Sequence, residues 1–248
     1  AGAGSGDDGD RSAYPGEDHG TDTTSAGGSG AGADLYDDGC AAPGAAGDDG
    51  GVVVRATQER SVGVSQSEER LFLAVALDDD ARHAIAAHLD VQLDGRRLPG
   101  RTVPPENWHL TLRFLGPTSA QQHDQVLAYL DEHLAVGPFR ITFTDLGAFP
   151  REAKASVLWM GVTGAVEQLE SLATTCEGAA VAAGFEPEGR PFHAHLTLSR
   201  IRPPHDVRPL VELFEPVGVE LDVEAVTLYR SVLGSGPARY EVVDRVEL

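Results

Sequence analysis

Apolar and polar positions follow no period over the first 68 residues and a clear one afterwards. "RLFLAVAL" (70–77) is a short apolar run, the pattern of a buried strand. In "DDDARHAIAAHLDVQL" aspartates stand at the start as caps and Ile85, Leu89 and Leu93 recur every four residues, which predicts a helix. "DGRRLPGRTVPPE" reads as a Gly/Pro loop, and "NWHLTLRFL" alternates as a strand. "TSAQQHDQVLAYLDEHL" is a helix with a Ser/Thr start, and "FRITFTDLGAF" is a strand. A second series follows. "SVLWMGV" (156–162) is a strand, "AVEQLESLATTCEGAAVAAG" a helix ended by Gly184, and "FEPEGRPF" a loop. "HAHLTLSRI" is a strand and "DVRPLVELF" a short helix; "VELDVEAVTLYRSVL" and "RYEVVDRVEL" are strands joined by a Gly-rich turn.

Both series read strand, helix, loop, strand, helix, strand, and both carry HLTL, at 109–112 and 195–198. The offset of 86 residues also carries Leu71 onto Val157. The chain is therefore read as an internal repeat of a supersecondary unit, about 70–150 and 156–248. Two such units pack as two pseudo-symmetric lobes with mainly antiparallel sheets, an α+β fold, with the related strands facing each other across a central cleft.

Composition sets the limits of this domain. Residues 1–68 are mostly Gly, Ala, Asp, Ser and Thr, and "GVVVRA" is their one apolar cluster, so a disordered acidic tail is expected there and a folded domain over 69–248. The net charge is −20; residues 1–69 hold 14 acidic residues and 3 arginines, leaving 25 acidic and 16 basic residues beyond. Such a field repels nucleic acid at long range, so an anionic substrate must be held by local arginines. Cys40 and Cys176 are the only cysteines, which excludes a disulfide framework and a cysteine-based zinc site. No apolar run is long enough for a membrane span and no leader pattern opens the chain, so a cytoplasmic, membrane-free protein is expected. P-loop and dinucleotide fingerprints are absent.

The chemistry concentrates in HLTL. Residues two apart on a strand share a face, so His109 and Thr111 point one way while Leu110 and Leu112 anchor the core; His195 and Thr197 repeat this. One imidazole can be a neutral base while the other is a protonated acid, and threonine hydroxyls donate to anionic oxygens without adding charge. That set suits in-line displacement at phosphorus. For a single H-x-T a self-satisfied core strand is the simpler account, but two at equivalent points of a repeat favour function. His193 and His195 share a face and suggest a metal pair, yet a zinc site needs three or four ligands and no further cluster has the spacing, so no metal is expected. Arg113, Arg190, Arg200, Arg202 and Arg239 are candidate phosphate binders. Arg113 is at even spacing from His109 and can face the cleft unless a bulge intervenes. Arg200 is at odd spacing from His195 and faces away if the strand stays regular. Phe72, Trp108, Phe149 and Tyr229 are candidates for stacking on a base, and His193 for the substrate's edge. His83, His88, His123, His133 and His205 read as solvated.

Taken together, "RLFLAVAL", "VPPENWHLTLRFLG", "LGAFP", "VLWMGV", "GFEPEGRPFHAHLTLSRIR", "VTLYRSVLG" and "RYEVV" resemble the two-histidine (2H) phosphoesterase superfamily over residues 69–248. The resemblance is to its RNA 2′,3′-cyclic phosphodiesterases, once described as 2′–5′ RNA ligases. Ala194 stands where that family usually has Pro, and Thr102 where it often has an aromatic residue. The resemblance implies His109 as proton donor, His195 as proton acceptor, Thr111 and Thr197 as their partners, and a bilobal fold with the site between lobes. It implies a metal-independent hydrolase acting as a monomer on RNA ends or small nucleotides, with no cofactor. Two other readings stand beside it: a 2′–5′ RNA ligase or small cyclic-nucleotide phosphodiesterase, and a non-catalytic module that binds RNA ends.

Overall fold

The computed structural model describes residues 69–232 and 238–248; the expected tail over 1–68, with Cys40, and most of the Gly-rich turn lie outside the described residues. In chain order the elements are β1 (Glu69–Ala76), α1 (Asp79–Leu93), β2 (Arg101–Thr102), β3 (His109–Thr118), α2 (Ala120–His133), β4 (Phe139–Phe149), β5 (Ala155–Gly164), α3 (Val166–Ala182), β6 (His195–His205), α4 (Arg208–Val211), β7 (Val219–Val223), β8 (Ala225–Val232) and β9 (Arg239–Glu247). The helix starts follow the expected chemistry. Asp78 caps α1 by accepting from the Ala81 N–H at 2.7 Å, and Ser119 and Gln122 close a capping box on α2. Gly184, at φ 86°, follows α3 in the left-handed conformation that stops a helix.

The strands run in the order β7-β4-β5-β6-β3-β1-β8-β9, with β2 beside β6 and all neighbours antiparallel, as a curled sheet. Ile85 and Leu89 of α1, Val126 and Leu130 of α2, and Leu169 and Leu172 of α3 join Leu110, Leu112, Leu196 and Leu198 in one buried core. The leucines of both HLTL segments therefore face the helices, and the His/Thr positions lie on the opposite face.

Two features depart from the sequence reading. The motif strands do not face each other across a groove: β3 and β6 lie side by side and pair at Leu110–Leu196, at the middle of the sheet. The lobes are also not the sequence repeats. β4 of the first repeat pairs with β5 of the second, and β8 of the second pairs with β1 of the first. Each half of the sheet is thus built from both repeats.

The register differs by one residue as well. Phe72 and Ala74 of β1 lie opposite Phe114 and Thr111, whereas Val157 and Trp159 of β5 lie opposite Arg200 and Thr197. The first strands are thus equivalent at an offset of 85, while the motif strands keep 86, so Leu71 and Val157 are not equivalent. A one-residue slip exchanges the two faces of a strand. Val157 accordingly matches Phe72, on the cleft side.

Both motif strands carry a bulge at the second leucine. Thr111 and Arg113 pair with consecutive residues Ala74 and Leu73, leaving Leu112 extra. Thr197 and Ser199 pair with consecutive residues Trp159 and Leu158, leaving Leu198 extra. An extra residue reverses the alternation beyond it. After Thr111 the cleft face therefore continues at Phe114, and after Thr197 at Arg200. Strand β2, inside the segment read as a loop, steadies the second bulge: Arg101 and Thr102 pair with Arg200 and Ser199, and the Val103 N–H donates to the Leu198 carbonyl at 2.8 Å. Gly100 makes this approach possible. Its φ is 78°, and a Cβ there would lie 2.4 Å from the Arg200 carbonyl oxygen.

Candidate active site

The antiparallel register at Leu110–Leu196 sets His109 toward Thr197 and Thr111 toward His195. All four side chains line one cavity of about 510 Å³. A turn of 3-10 helix, Pro105–Asn107, precedes His109, so the strand starts two residues later than its alternation suggested. That turn delivers the Asn107 carbonyl to His109 Nδ1 at 2.8 Å. In the second motif the His193 carbonyl meets His195 Nδ1 at 2.7 Å. A carbonyl can only accept, so Nδ1 carries the hydrogen in both rings and Nε2 is the atom that titrates.

Burial holds His109 down at about 4, against 6.5 for a free imidazole. The bond to Asn107 offsets part of this, and the charges of Arg200 and His195 add to it. Burial is also the main cause that lowers His195; its bond to His193 opposes it, and the charges of His193 and Arg200 reinforce it. Burial thus favours the neutral form of both rings, and Arg200 lies close enough to act on both. An anion bound between them reverses the sign of the local field and raises both.

The bulges decide the arginines. Arg200 lines the cavity, against the expectation for a regular strand, because Leu198 shifts the alternation. Arg113 reaches the cavity only at its helix side. Its side chain is 10 % exposed, makes an ion pair with Glu177 of α3, and donates to the carbonyls of Phe114 and Glu186. Phe114 takes the cleft position instead. Arg190 lines the cavity wall and is paired with Glu188 at 3.0 Å. Arg202 is exposed on β6 and does not line the cavity, nor does Arg239 at the start of β9.

The aromatic candidates divide too. Phe72 is 3 % exposed, packs its ring 4.8 Å from that of His109 and stacks on Tyr229 at 5.3 Å, so both rings support the histidine and neither lines the cavity. Trp108 is buried, its Nε1 donating to the Val103 carbonyl at 3.0 Å, and belongs to the core. Phe149 lines the cavity and meets His195 edge-on at 5.1 Å. His193 lines it as well, against Trp159 at 5.0 Å. Three of the histidines read as solvated are engaged instead: His88 with the Glu215 carbonyl and His123 with Asp244, each at 2.9 Å, and His133 with the Tyr129 carbonyl at 3.0 Å. Among the described residues no three His, Cys, Asp or Glu side chains are grouped to hold a metal ion, and no helix is long and apolar enough to cross a membrane.

Sequence reasoning missed Asn107, Tyr240 and Phe114. Asn107 donates from Nδ2 to the Ala238 carbonyl at 2.7 Å, and the Tyr240 ring stands edge-on to His109 at 5.1 Å. Asn107 was within reach of the sequence, since it precedes His109 by the two residues that separate His193 from His195. Tyr240 and Phe114 depend on long-range pairing and on a bulge, and no local signal marks them.

The family model of the 2′-5′ RNA ligase superfamily matches residues 77–234. An RNA 2′,3′-cyclic phosphodiesterase of Aeropyrum pernix is 38% identical over 143 residues, 55% of this chain and 79% of that protein. The Escherichia coli protein of the same name is 31% identical over 182 residues, 71% of this chain and 95% of that protein. The crystal structure of E. coli LigT complexed with 3′-AMP superposes with a TM-score of 0.59 at 28% identity, covering 73% of this chain and 98% of that one. With paired H-x-T strands at the centre of a shared fold, the chain belongs to the 2′-5′ RNA ligase superfamily.

Proposed function

We propose that the protein hydrolyses 2′,3′-cyclic phosphate ends of RNA to 2′-phosphomonoesters. One observation carries this reading: two histidines, each with Nδ1 tied to the carbonyl two residues before it, line one cavity beside two threonines and an arginine. Relatives named RNA 2′,3′-cyclic phosphodiesterases at 38% and 31% identity support it. Water attacks phosphorus in line with the 3′ oxygen and gives its proton to Nε2 of His195. The P–O3′ bond breaks, and Nε2–H of His109 protonates the departing oxygen. Thr111 and Thr197 donate to the non-bridging oxygens, and Arg200 balances their charge.

His109 must carry a proton to act as the acid, and burial holds it down at about 4. The bound anion supplies the correction, because a phosphate beside an imidazolium favours the charged ring. The reaction needs proton transfer and hydrogen bonds alone, so turnover is expected to persist in EDTA. The test is incubation with an oligonucleotide ending in a 2′,3′-cyclic phosphate, with EDTA present and the product isomer identified. A 2′-phosphate is expected. A 3′-phosphate overturns the binding orientation, and abolition by EDTA with recovery on adding zinc or manganese overturns the metal-free scheme.

A further inference from the structure

Residues 185–194, between α3 and β6, form no helix or strand, yet Arg190, Pro191, Phe192 and His193 of this segment wall the cavity. The His193 carbonyl also orients His195. Phe185 and Phe192 pack its ends against the core, and a pair of charged side chains fastens its middle. The Glu177 carboxylate, on α3, accepts from the Glu188 N–H at 2.8 Å through one oxygen and pairs with Arg113 through the other. Arg113, on β3, reaches past Glu177 to donate to the Glu186 carbonyl. Its charge also helps to hold the Glu188 carboxyl low, behind the larger effect of Arg190.

We propose that Arg113 and Glu177 are positioning residues: a clasp between β3 and α3 that seats the 185–194 segment and through it His195. The sequence suggested Arg113 as a ligand for phosphate. The bulge at Leu112 turns it away from the histidine face, and its guanidinium is committed to Glu177 and two carbonyls. The clasp joins the two repeats at a point where the backbone offers no ladder, since β3 and β6 pair at Leu110–Leu196. The proposal rests on the phosphodiesterase reading for its kinetic arm and on geometry alone for its structural arm.

The experiment compares Arg113→Ala, Glu177→Ala, the double variant and the exchanged pair Arg113→Glu/Glu177→Arg, each in the full chain. In a clasp the two residues act as a unit, so each single variant lowers kcat on a 2′,3′-cyclic nucleotide by about tenfold, and the double variant is no worse than either. Hydrogen exchange at the Glu188 amide supplies a readout that a phosphate ligand does not move. Arg113→Ala leaves both partners of that amide bond in place, yet exchange should quicken at Glu188. The exchanged pair should recover part of the lost rate. Additive losses, or a rise in KM alone with Glu188 exchange unchanged in Arg113→Ala, overturn the clasp and return Arg113 to the substrate. If the wild-type chain fails to hydrolyse the cyclic phosphate, the phosphodiesterase reading fails, and the amide exchange still decides the clasp.

Discussion

At the scale of single residues, the two histidines are alike in their backbone bond and unlike in their surroundings. His109 is packed among Phe72, Tyr229 and Tyr240, and His195 among Phe149, Trp159 and His193. Replacing either by Ala is expected to cost about 10²–10⁴ in kcat, the usual yield of a positioned acid or base. Replacing Thr111 or Thr197 should cost less, because a hydrogen bond is lost and no proton path is cut. Steady-state rates on a cyclic mononucleotide measure both. A better leaving group at the 3′ position should rescue His109→Ala and not His195→Ala; the reverse pattern exchanges their roles. The lowered titration of both buried rings fixes a second outcome. The singly protonated pair acts on free substrate, so the optimum of kcat/KM falls on the acid side of the optimum of kcat, which reports the anion-bound site. Coincident optima would contradict the proposed rescue of His109 by the substrate's charge. Stability follows the same sign. The unfolded chain binds the His109 proton more tightly, so its neutral folded form adds stability above 6.5 that is lost as pH falls towards 4. His109→Gln should flatten the fall in Tm across that window.

At the scale of elements, the bulges matter more than the strands. The sequence made the strands legible because Leu110, Leu112, Leu196 and Leu198 alternate with the chemistry-bearing positions. It made the helices legible because Ile85, Leu89 and Leu93 keep one face and Ser119 and Asp78 cap as their types demand. It could not show that Leu112 and Leu198 each add a residue, since both remain buried leucines in an unbroken pattern. That one fact misplaced Arg200 and Arg113 in opposite directions. Strand β2 was hidden for a related reason: two residues, both exposed, carry no period, and their role appears only in what they bond. Gly100→Ala tests the link. The new methyl meets the Arg200 backbone, which cannot yield as a side chain end would, and the positive φ adds strain. A loss of about 1–3 kcal/mol is expected in denaturant unfolding, together with a rise in KM as Arg200 withdraws. A variant with unchanged KM would show that Arg200 is held without β2.

At the scale of the whole molecule, residues 1–68 carry much of the negative charge and few large apolar residues. Removal of residues 1–65 should leave both Tm and turnover nearly unchanged; a large loss of activity would assign the segment to the site. The described domain behaves differently under division, because β4 pairs with β5 and β8 pairs with β1 across the repeat boundary. A cut at Arg151–Glu152, between the repeats, would leave each fragment with an unpaired strand edge and a single H-x-T motif. Neither fragment has a complete sheet to fold upon, and each holds the strand the other lacks. The two halves are therefore a complementing pair held by mutual exchange, and the peptide link between them supplies proximity rather than architecture.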